Sequence, residues 1–205
     1  ARGIATTIDA LPAEAFEARV DDSIIARQPR VEAFAHRAED WQTVLVDVRS
    51  PGEFRGDADA RQFGAPRAGH IPGAVSVPWQ SLLDEKGMLR SREELGKILL
   101  PRGVRPDAEI ITYCTGGVRS AHTWFVLQAL GYPSVRNYAG SWWEWSLDRK
   151  LPIERGGERP RFLPPFPLEA EAPTPEPPPP APGEAGNRYG DVPDWLRPPG
   201  SGSGE

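Results

Sequence analysis

Proline and glycine divide this 205-residue chain into two parts. Between residues 156 and 205, 22 of the 50 positions are Pro or Gly, well above the roughly 25–30% that is typical of low-complexity sequence. Such a segment cannot bury enough apolar surface to form a packed core. We therefore predict one folded domain over residues 23–155, with a lead-in segment at 1–22 and an irregular Pro-rich tail at 156–205.

The tail has two open interpretations. Residues 173–182 (PTPEPPPPAP) predict a polyproline II rod, and Tyr189, Trp195 and Leu196 follow it in otherwise polar sequence. The segment is either a solvated tail or, over residues 173–197, a docking site for a protein partner.

Composition excludes several classes of protein. A single Cys cannot form an intrachain disulfide or a multi-cysteine zinc site, and the three His residues lack metal-ligand spacing, so we predict no metal and no cofactor. The net charge of −5 argues against a nucleic-acid partner, and no apolar run reaches the roughly 20 residues of a membrane span. We expect a cytoplasmic protein, or an extracytoplasmic one if a leader was removed before Ala1.

Strand and helix patterns alternate within residues 23–155. Near-continuous apolar runs at 43–48 and 109–113 predict strands covered on both faces, and the runs at 74–77 and 134–138 predict two weaker strands. Helical spacing predicts helices over residues 29–41, 91–100 and 118–130. The second helix opens with a capping box, Ser91 and Glu94, and the third is apolar almost all round, which predicts a buried helix. Together these patterns predict an α/β domain with a mainly parallel central sheet flanked by helices.

The one cysteine lies where a predicted strand passes into a helix, as expected of a ligand site in a parallel sheet. Residues 113–120 (YCTGGVRS) place two glycines between the predicted strand and the predicted helix. Backbone N–H groups and the start of the helix can therefore surround an anion. We predict that this loop and Arg119 lower the pKa of Cys114 and make it a nucleophile, the alternative being an inert buried thiol. The predicted anion-binding loop comprises Thr115, Gly116, Gly117, Val118, Arg119 and Ser120.

Loop length separates two kinds of cysteine chemistry. Four residues lie between Cys114 and Arg119, whereas a tyrosine-phosphatase loop has five, which wrap the oxygens of a phosphate. The shorter loop favours a smaller reacting atom, namely sulfur.

Four ordered motifs between residues 23 and 153 resemble the rhodanese-type sulfurtransferases, most closely the C-terminal catalytic domain of tandem thiosulfate sulfurtransferases. They are Val46–Ser50 with Glu53 and Phe54, then Gly69–Ala74 (GHIPGA), the Cys114 loop, and residues 140–145 (GSWWEW). The resemblance implies a three-layer rhodanese-like fold and an enzyme whose Cys114 takes sulfane sulfur from thiosulfate or a similar anion. The persulfide then passes its sulfur to a thiol or cyanide.

The resemblance also suggests roles for residues around the loop. His70 is mainly structural in family members. Asp47 and Arg49 follow a predicted strand, so they either face the site or form a structural ion pair that holds the loop. Glu144 stands three residues after Ser141, which predicts a capping box.

Two departures from the family pattern bear on the substrate. Mercaptopyruvate enzymes tend to carry an Arg where this chain has Glu53, which argues against mercaptopyruvate. Arg61 and Arg67 are possible substitute cations for the substrate. No second set of motifs precedes residue 23, so we expect either a partner that completes the cleft or an open site that accepts sulfur from a protein or polysulfide. The alternative function is a rhodanese-fold interaction or sulfur-relay subunit docked through its tail.

Overall fold

The computed structural model describes residues 21–36, 41–57 and 64–157. Within these ranges, strands and helices alternate along the chain. The strands are β1 (Thr43–Asp47), β2 (Val75–Ser76), β3 (Glu109–Tyr113) and β4 (Val135–Asn137). The helices are α1 (Gln28–Ala35), α2 (Pro51–Arg55), α3 (Arg92–Leu99), α4 (Val118–Ala129) and α5 (Ser141–Leu147).

The four strands form one parallel sheet in the order β2-β1-β3-β4. Val44 of β1 lies opposite Ile110 of β3, and Ile110 lies opposite Val135 of β4. Because all strands run in the same direction, their carboxyl ends meet at one edge of the sheet. The segments that follow β1, β3 and β4 therefore lie next to each other at that edge.

Helices cover both faces of the sheet. Alternate side chains of a strand point to opposite faces, so Val44 and Ile110 join a core with α3 and α4, whereas Leu45 and Ile111 join a second core with α1, α2 and α5. This arrangement confirms the predicted three-layer α/β fold with a parallel central sheet.

Local signals predicted the start of α3 correctly. The Ser91 Oγ accepts a hydrogen bond from the Glu94 N–H at 3.3 Å, and the Glu94 carboxylate accepts one from the Ser91 N–H at 3.0 Å. The capping box therefore closes as predicted. None of the helices in the described ranges is long and apolar enough to cross a membrane.

Two helix predictions need correction. Helix α1 ends at Ala35 rather than at residue 41, with residues 37–40 outside the described ranges. Helix α4 is not buried all round, since Val118 is 81% and Phe125 is 63% exposed. The helix packs on the sheet through one face only, and no other described layer covers its outer face. The predicted tail lies almost entirely outside the described residues.

Candidate active site

The loop between β3 and α4 holds the cysteine in a conformation that its two glycines permit. Gly117 has a φ of 90°, and a Cβ on it would lie 2.7 Å from the Ala139 carbonyl oxygen. A Cβ on Gly116 would lie 2.3 Å from the ring of Trp143. Both positions thus exclude a side chain, and the loop passes directly under the segment that follows β4.

Hydrogen-bond donors surround the Cys114 thiol. The Gly117 N–H donates to Sγ at 3.1 Å, and the Ser120 hydroxyl lies 3.6 Å from Sγ. Burial alone would raise the pKa of Cys114, but hydrogen bonds from Ser120, Gly116 and Gly117 outweigh it and lower that pKa below its ordinary value. The geometry therefore favours a thiolate, which is the reactive form of cysteine.

The start of α5 fixes the backbone of the same loop. The Cys114 N–H donates to the Ser141 Oγ at 3.1 Å, and the N–H groups of Trp142 and Trp143 donate to the Cys114 and Thr115 carbonyl oxygens at 3.0 and 2.9 Å. Three consecutive residues of α5 therefore contact the two residues at the turn. These hydrogen bonds fix the backbone of the loop at the cysteine.

The predicted capping box between Ser141 and Glu144 is wrong. Helix α5 begins at Ser141 itself, with Gly140 as its N-cap and without a capping side chain. Ser141 has a φ of 53°, and its hydroxyl donates to the Tyr138 carbonyl oxygen at 2.7 Å. The side chain is used to bridge β3 and β4, so it is not available to the helix.

Arg119 lies on the first turn of α4 and forms a bidentate ion pair with Glu53 of α2. Its Nη1 and Nη2 atoms lie 3.0 Å from the two carboxylate oxygens. The Thr115 hydroxyl donates to the same carboxylate at 3.0 Å and accepts a hydrogen bond from Arg119. Hydrogen bonds to Glu53 and, to a lesser extent, the charge of Cys114 raise the pKa of Arg119.

Asp47 and Arg49 form an ion pair behind the loop. Both side chains are buried, and the Arg49 Nη2 lies 2.6 Å from the carboxylate and 2.7 Å from the Gly69 carbonyl oxygen. The guanidinium also lies 4.7 Å from the centre of the Trp142 ring. The pair joins the end of β1 to the segment before β2 and to α5.

His70 is held among structural groups. Its ring stacks on Phe54 at 3.7 Å, and Nδ1 lies 2.8 Å from the Phe54 carbonyl oxygen. Burial lowers the pKa of His70, which favours the neutral ring at pH 7. No described hydrogen bond joins it to the Cys114 loop.

The two possible substrate cations lie in different situations. Arg67 donates to the carbonyl oxygens of Ser146 at 2.8 Å and Leu151 at 2.9 Å, and also to those of Trp145 and Asp148. It therefore caps the end of α5 and is not among the groups that contact the thiol. Arg61 lies outside the described residues.

Neither the Glu53 nor the Ser141 contact with the loop follows from the sequence. Each residue has a local explanation, because Glu53 closes a capping box with Ser50 and Ser141 precedes a helical pattern. The sequence signal that could have indicated these contacts is that Glu53 and Ser141 both belong to the four ordered motifs. Among the described residues, no cluster of His, Cys, Asp or Glu could hold a metal ion.

The fold and the site define an α/β domain with a cysteine loop at the carboxyl edge of a parallel sheet. The sequence matches the rhodanese-like domain over residues 30–148, more than half of the chain. The protein therefore belongs to the rhodanese family.

Several curated proteins resemble this chain. The sulfur carrier protein TtuD of Thermus thermophilus is 41% identical over 163 residues, which cover 77% of this chain and 57% of that protein. A protein of Mycolicibacterium smegmatis named "Putative thiosulfate sulfurtransferase" is 43% identical over 159 residues, covering 73% of this chain and 57% of that protein. The chain thus spans little more than half the length of these relatives.

Solved structures show the same fold. The anaerobic ergothioneine biosynthesis enzyme of Chlorobium limicola, in complex with trimethyl histidine, matches with a TM-score of 0.59 and 26% identity over 65% of this chain and 32% of that chain. A cysteine-persulfide form of EanB with ergothioneine matches with a TM-score of 0.59 and 25% identity over the same shares of the two chains.

Proposed function

We propose that this protein is a sulfurtransferase that carries sulfane sulfur as a persulfide on Cys114. The observation that carries the proposal is the buried thiol surrounded by N–H and O–H donors that lower its pKa. An inert core cysteine has no need of such surroundings. Family membership and relatives named as sulfurtransferases support the reaction class.

The proposed reaction with thiosulfate balances without a cofactor. The Cys114 thiolate attacks the outer sulfur of thiosulfate, a new S–S bond forms, and the old S–S bond breaks with its electron pair leaving on sulfite. The product on the enzyme is an anionic persulfide, which a thiol or cyanide then attacks at its outer sulfur. The single negative charge on the enzyme therefore persists from thiolate to persulfide.

The loop suits a charge that persists through both steps. The Gly117 N–H and the Ser120 hydroxyl point at the thiol sulfur before any donor binds, so they need little reorganisation when the persulfide forms. The contacts from Ser141 and Trp142 to Cys114 fix the backbone that carries these donors. Positioning and hydrogen bonding are thus the contributions that we assign to this chain.

A protein acceptor is the second possibility for the outgoing sulfur. The Thermus thermophilus relative is named as a sulfur carrier, which favours a relay in which Cys114 passes sulfur to another protein. In that alternative the tail at residues 173–197, outside the described residues, docks the partner. Replacing Trp195 and Leu196 by Ala in the full chain would then weaken sulfur delivery to a protein acceptor while leaving delivery to cyanide unchanged.

Intact mass spectrometry tests the nucleophile directly. After incubation with thiosulfate and removal of excess donor, we expect a gain of about 32 Da that a reducing thiol reverses. Cys114→Ser should show no gain while its circular dichroism spectrum stays that of the folded protein. A reducible gain in the Cys114→Ser protein would contradict the assignment of Cys114.

A further inference from the structure

The positive charge of the cysteine loop is already paired inside the protein. Arg119 is 27% exposed, and its two terminal nitrogens donate to the two oxygens of Glu53 at 3.0 Å each. The Thr115 hydroxyl closes the ring between them. A donor that approaches Cys114 therefore meets a neutral ion pair rather than a free guanidinium.

Glu53 is held in place and stays ionised. Its side chain is 5% exposed, and it accepts hydrogen bonds from the Ser50 N–H at 3.1 Å and the Ser50 hydroxyl at 3.0 Å. Burial would raise the pKa of Glu53, but the hydrogen bonds and charge of Arg119 and the hydrogen bonds of Ser50 lower it to about 2. A fixed carboxylate thus lies beside the loop throughout the physiological pH range.

Two further arginines in the described part of the chain are also engaged by protein groups. Arg49 is 2% exposed and pairs with Asp47, and Arg67 donates to carbonyl oxygens at the end of α5. Hydrogen-bond donors, namely the Ser120 hydroxyl and the loop N–H groups, are therefore the main attraction that the described residues offer an anion at Cys114.

We propose that Glu53 determines donor specificity, and that the Cys114 site selects singly charged sulfane-sulfur donors over the thiosulfate dianion. The class comprises persulfides and thiosulfonates, in which a sulfane sulfur is bound to an organic group. This inference rests on the proposed function. It extends the proposed function by assigning the charge of the sulfur donor.

The physical reason is that Glu53 cancels the positive charge of Arg119. At a given distance, the attraction that is cancelled is about twice as large for a dianion as for a monoanion of the same shape. Thiosulfate and methanethiosulfonate form such a pair, because a methyl group replaces one charged oxygen. With methanethiosulfonate, the Cys114 thiolate bonds to the outer sulfur, the S–S bond breaks, and methanesulfinate leaves with the electron pair. Charge balances, with one enzyme-bound negative charge before and after.

The experiment measures the rate of persulfide loading on Cys114 with each donor, in the full-length protein and in Glu53→Gln. Gln retains an oxygen that can accept from Ser50 but frees the Arg119 charge. We expect the ratio of methanethiosulfonate to thiosulfate loading to fall about five- to tenfold in Glu53→Gln, mainly through a lower KM for thiosulfate. Comparing the ratio between variants cancels the intrinsic reactivity of the two donors.

Two further variants control for structure. Glu53→Asp retains the charge and should keep the wild-type ratio, whereas Arg119→Gln leaves the carboxylate unpaired and should raise the ratio. If Glu53→Gln does not fold, the rise in Arg119→Gln carries the test. An unchanged ratio in the folded variants overturns the specificity role while leaving the persulfide mechanism intact. Failure of both donors to load Cys114 overturns the proposed function and this inference together.

Discussion

Ser141 connects the cysteine to the neighbouring strand. Its Oγ accepts a hydrogen bond from the Cys114 N–H at 3.1 Å and donates one to the Tyr138 carbonyl oxygen at 2.7 Å. The residue adopts a left-handed φ of 53° to do so. A non-glycine residue with this conformation costs stability, which the two buried hydrogen bonds offset.

Replacing Ser141 should therefore separate its two contributions. We expect Ser141→Ala to lower the free energy of unfolding by about 1–3 kcal/mol, because the buried Cys114 N–H loses its acceptor. Ser141→Gly should lower it by about 1 kcal/mol less, since glycine adopts the positive φ readily. Urea denaturation measures both. A larger loss in Ser141→Gly than in Ser141→Ala would show that the positive φ carries no cost.

Removing the Ser120 hydroxyl should raise the pKa of Cys114. The hydroxyl is the strongest of the groups that lower this pKa, so its loss leaves burial less opposed. We expect the pH profile of alkylation by iodoacetamide to move to higher pH in Ser120→Ala. Ser81→Ala is a matched control, since the Ser81 hydroxyl donates to the Pro78 carbonyl oxygen away from the thiol. Equal profiles for Ser120→Ala and wild type would contradict the role of this hydroxyl.

Gly116 and Trp143 should behave as a coupled pair. A Cβ on Gly116 would lie 2.3 Å from the Trp143 ring, so Gly116→Ala must displace the ring or the loop. We expect Gly116→Ala to slow persulfide loading at least tenfold and to cost about 1–3 kcal/mol of stability. In a Trp143→Ala background the same substitution should cost at least 1 kcal/mol less. Additive effects in the double-mutant cycle would show that the ring does not restrict position 116.

Acid should weaken the wild-type fold partly through Glu53. Its pKa is about 2 in the folded protein against an ordinary 4.5, so the unfolded state binds a proton first as the pH falls. The stability that Glu53 contributes is present above pH 4.5 and is lost as the pH falls towards 2. We expect the urea midpoint of Glu53→Gln to fall less steeply than that of wild type over this window. Parallel pH profiles would contradict the low pKa.

Arg67 should behave as a structural residue. Because it donates to four carbonyl oxygens around the end of α5, we expect Arg67→Gln to lower the free energy of unfolding by about 2 kcal/mol. Arg55→Gln, which removes an exposed ion pair with Asp57, should stay within about 0.5 kcal/mol of wild type. A higher KM for thiosulfate in Arg67→Gln, with unchanged stability, would instead support a contact with the donor.

Local sequence predicted the features that depend on neighbouring residues. The apolar runs of β1 and β3, the Ser91–Glu94 capping box and the position of Cys114 between a strand and a helix all depend on residues within a few positions of each other. Steric and periodic rules operate over such distances, so one sequence suffices to apply them.

The tertiary structure alone decided which distant side chains meet. Glu53 and Arg119 are 66 residues apart, and Cys114 and Ser141 are 27 apart. Their contacts exist because the strand order places the ends of β1, β3 and β4 side by side, an order that no local pattern encodes. The same holds for the exposed face of α4, whose apolar residues reveal nothing about how many layers cover the helix. The sequence by itself thus determined where the cysteine loop lies along the chain, and the packing of the sheet decided the charges that surround it.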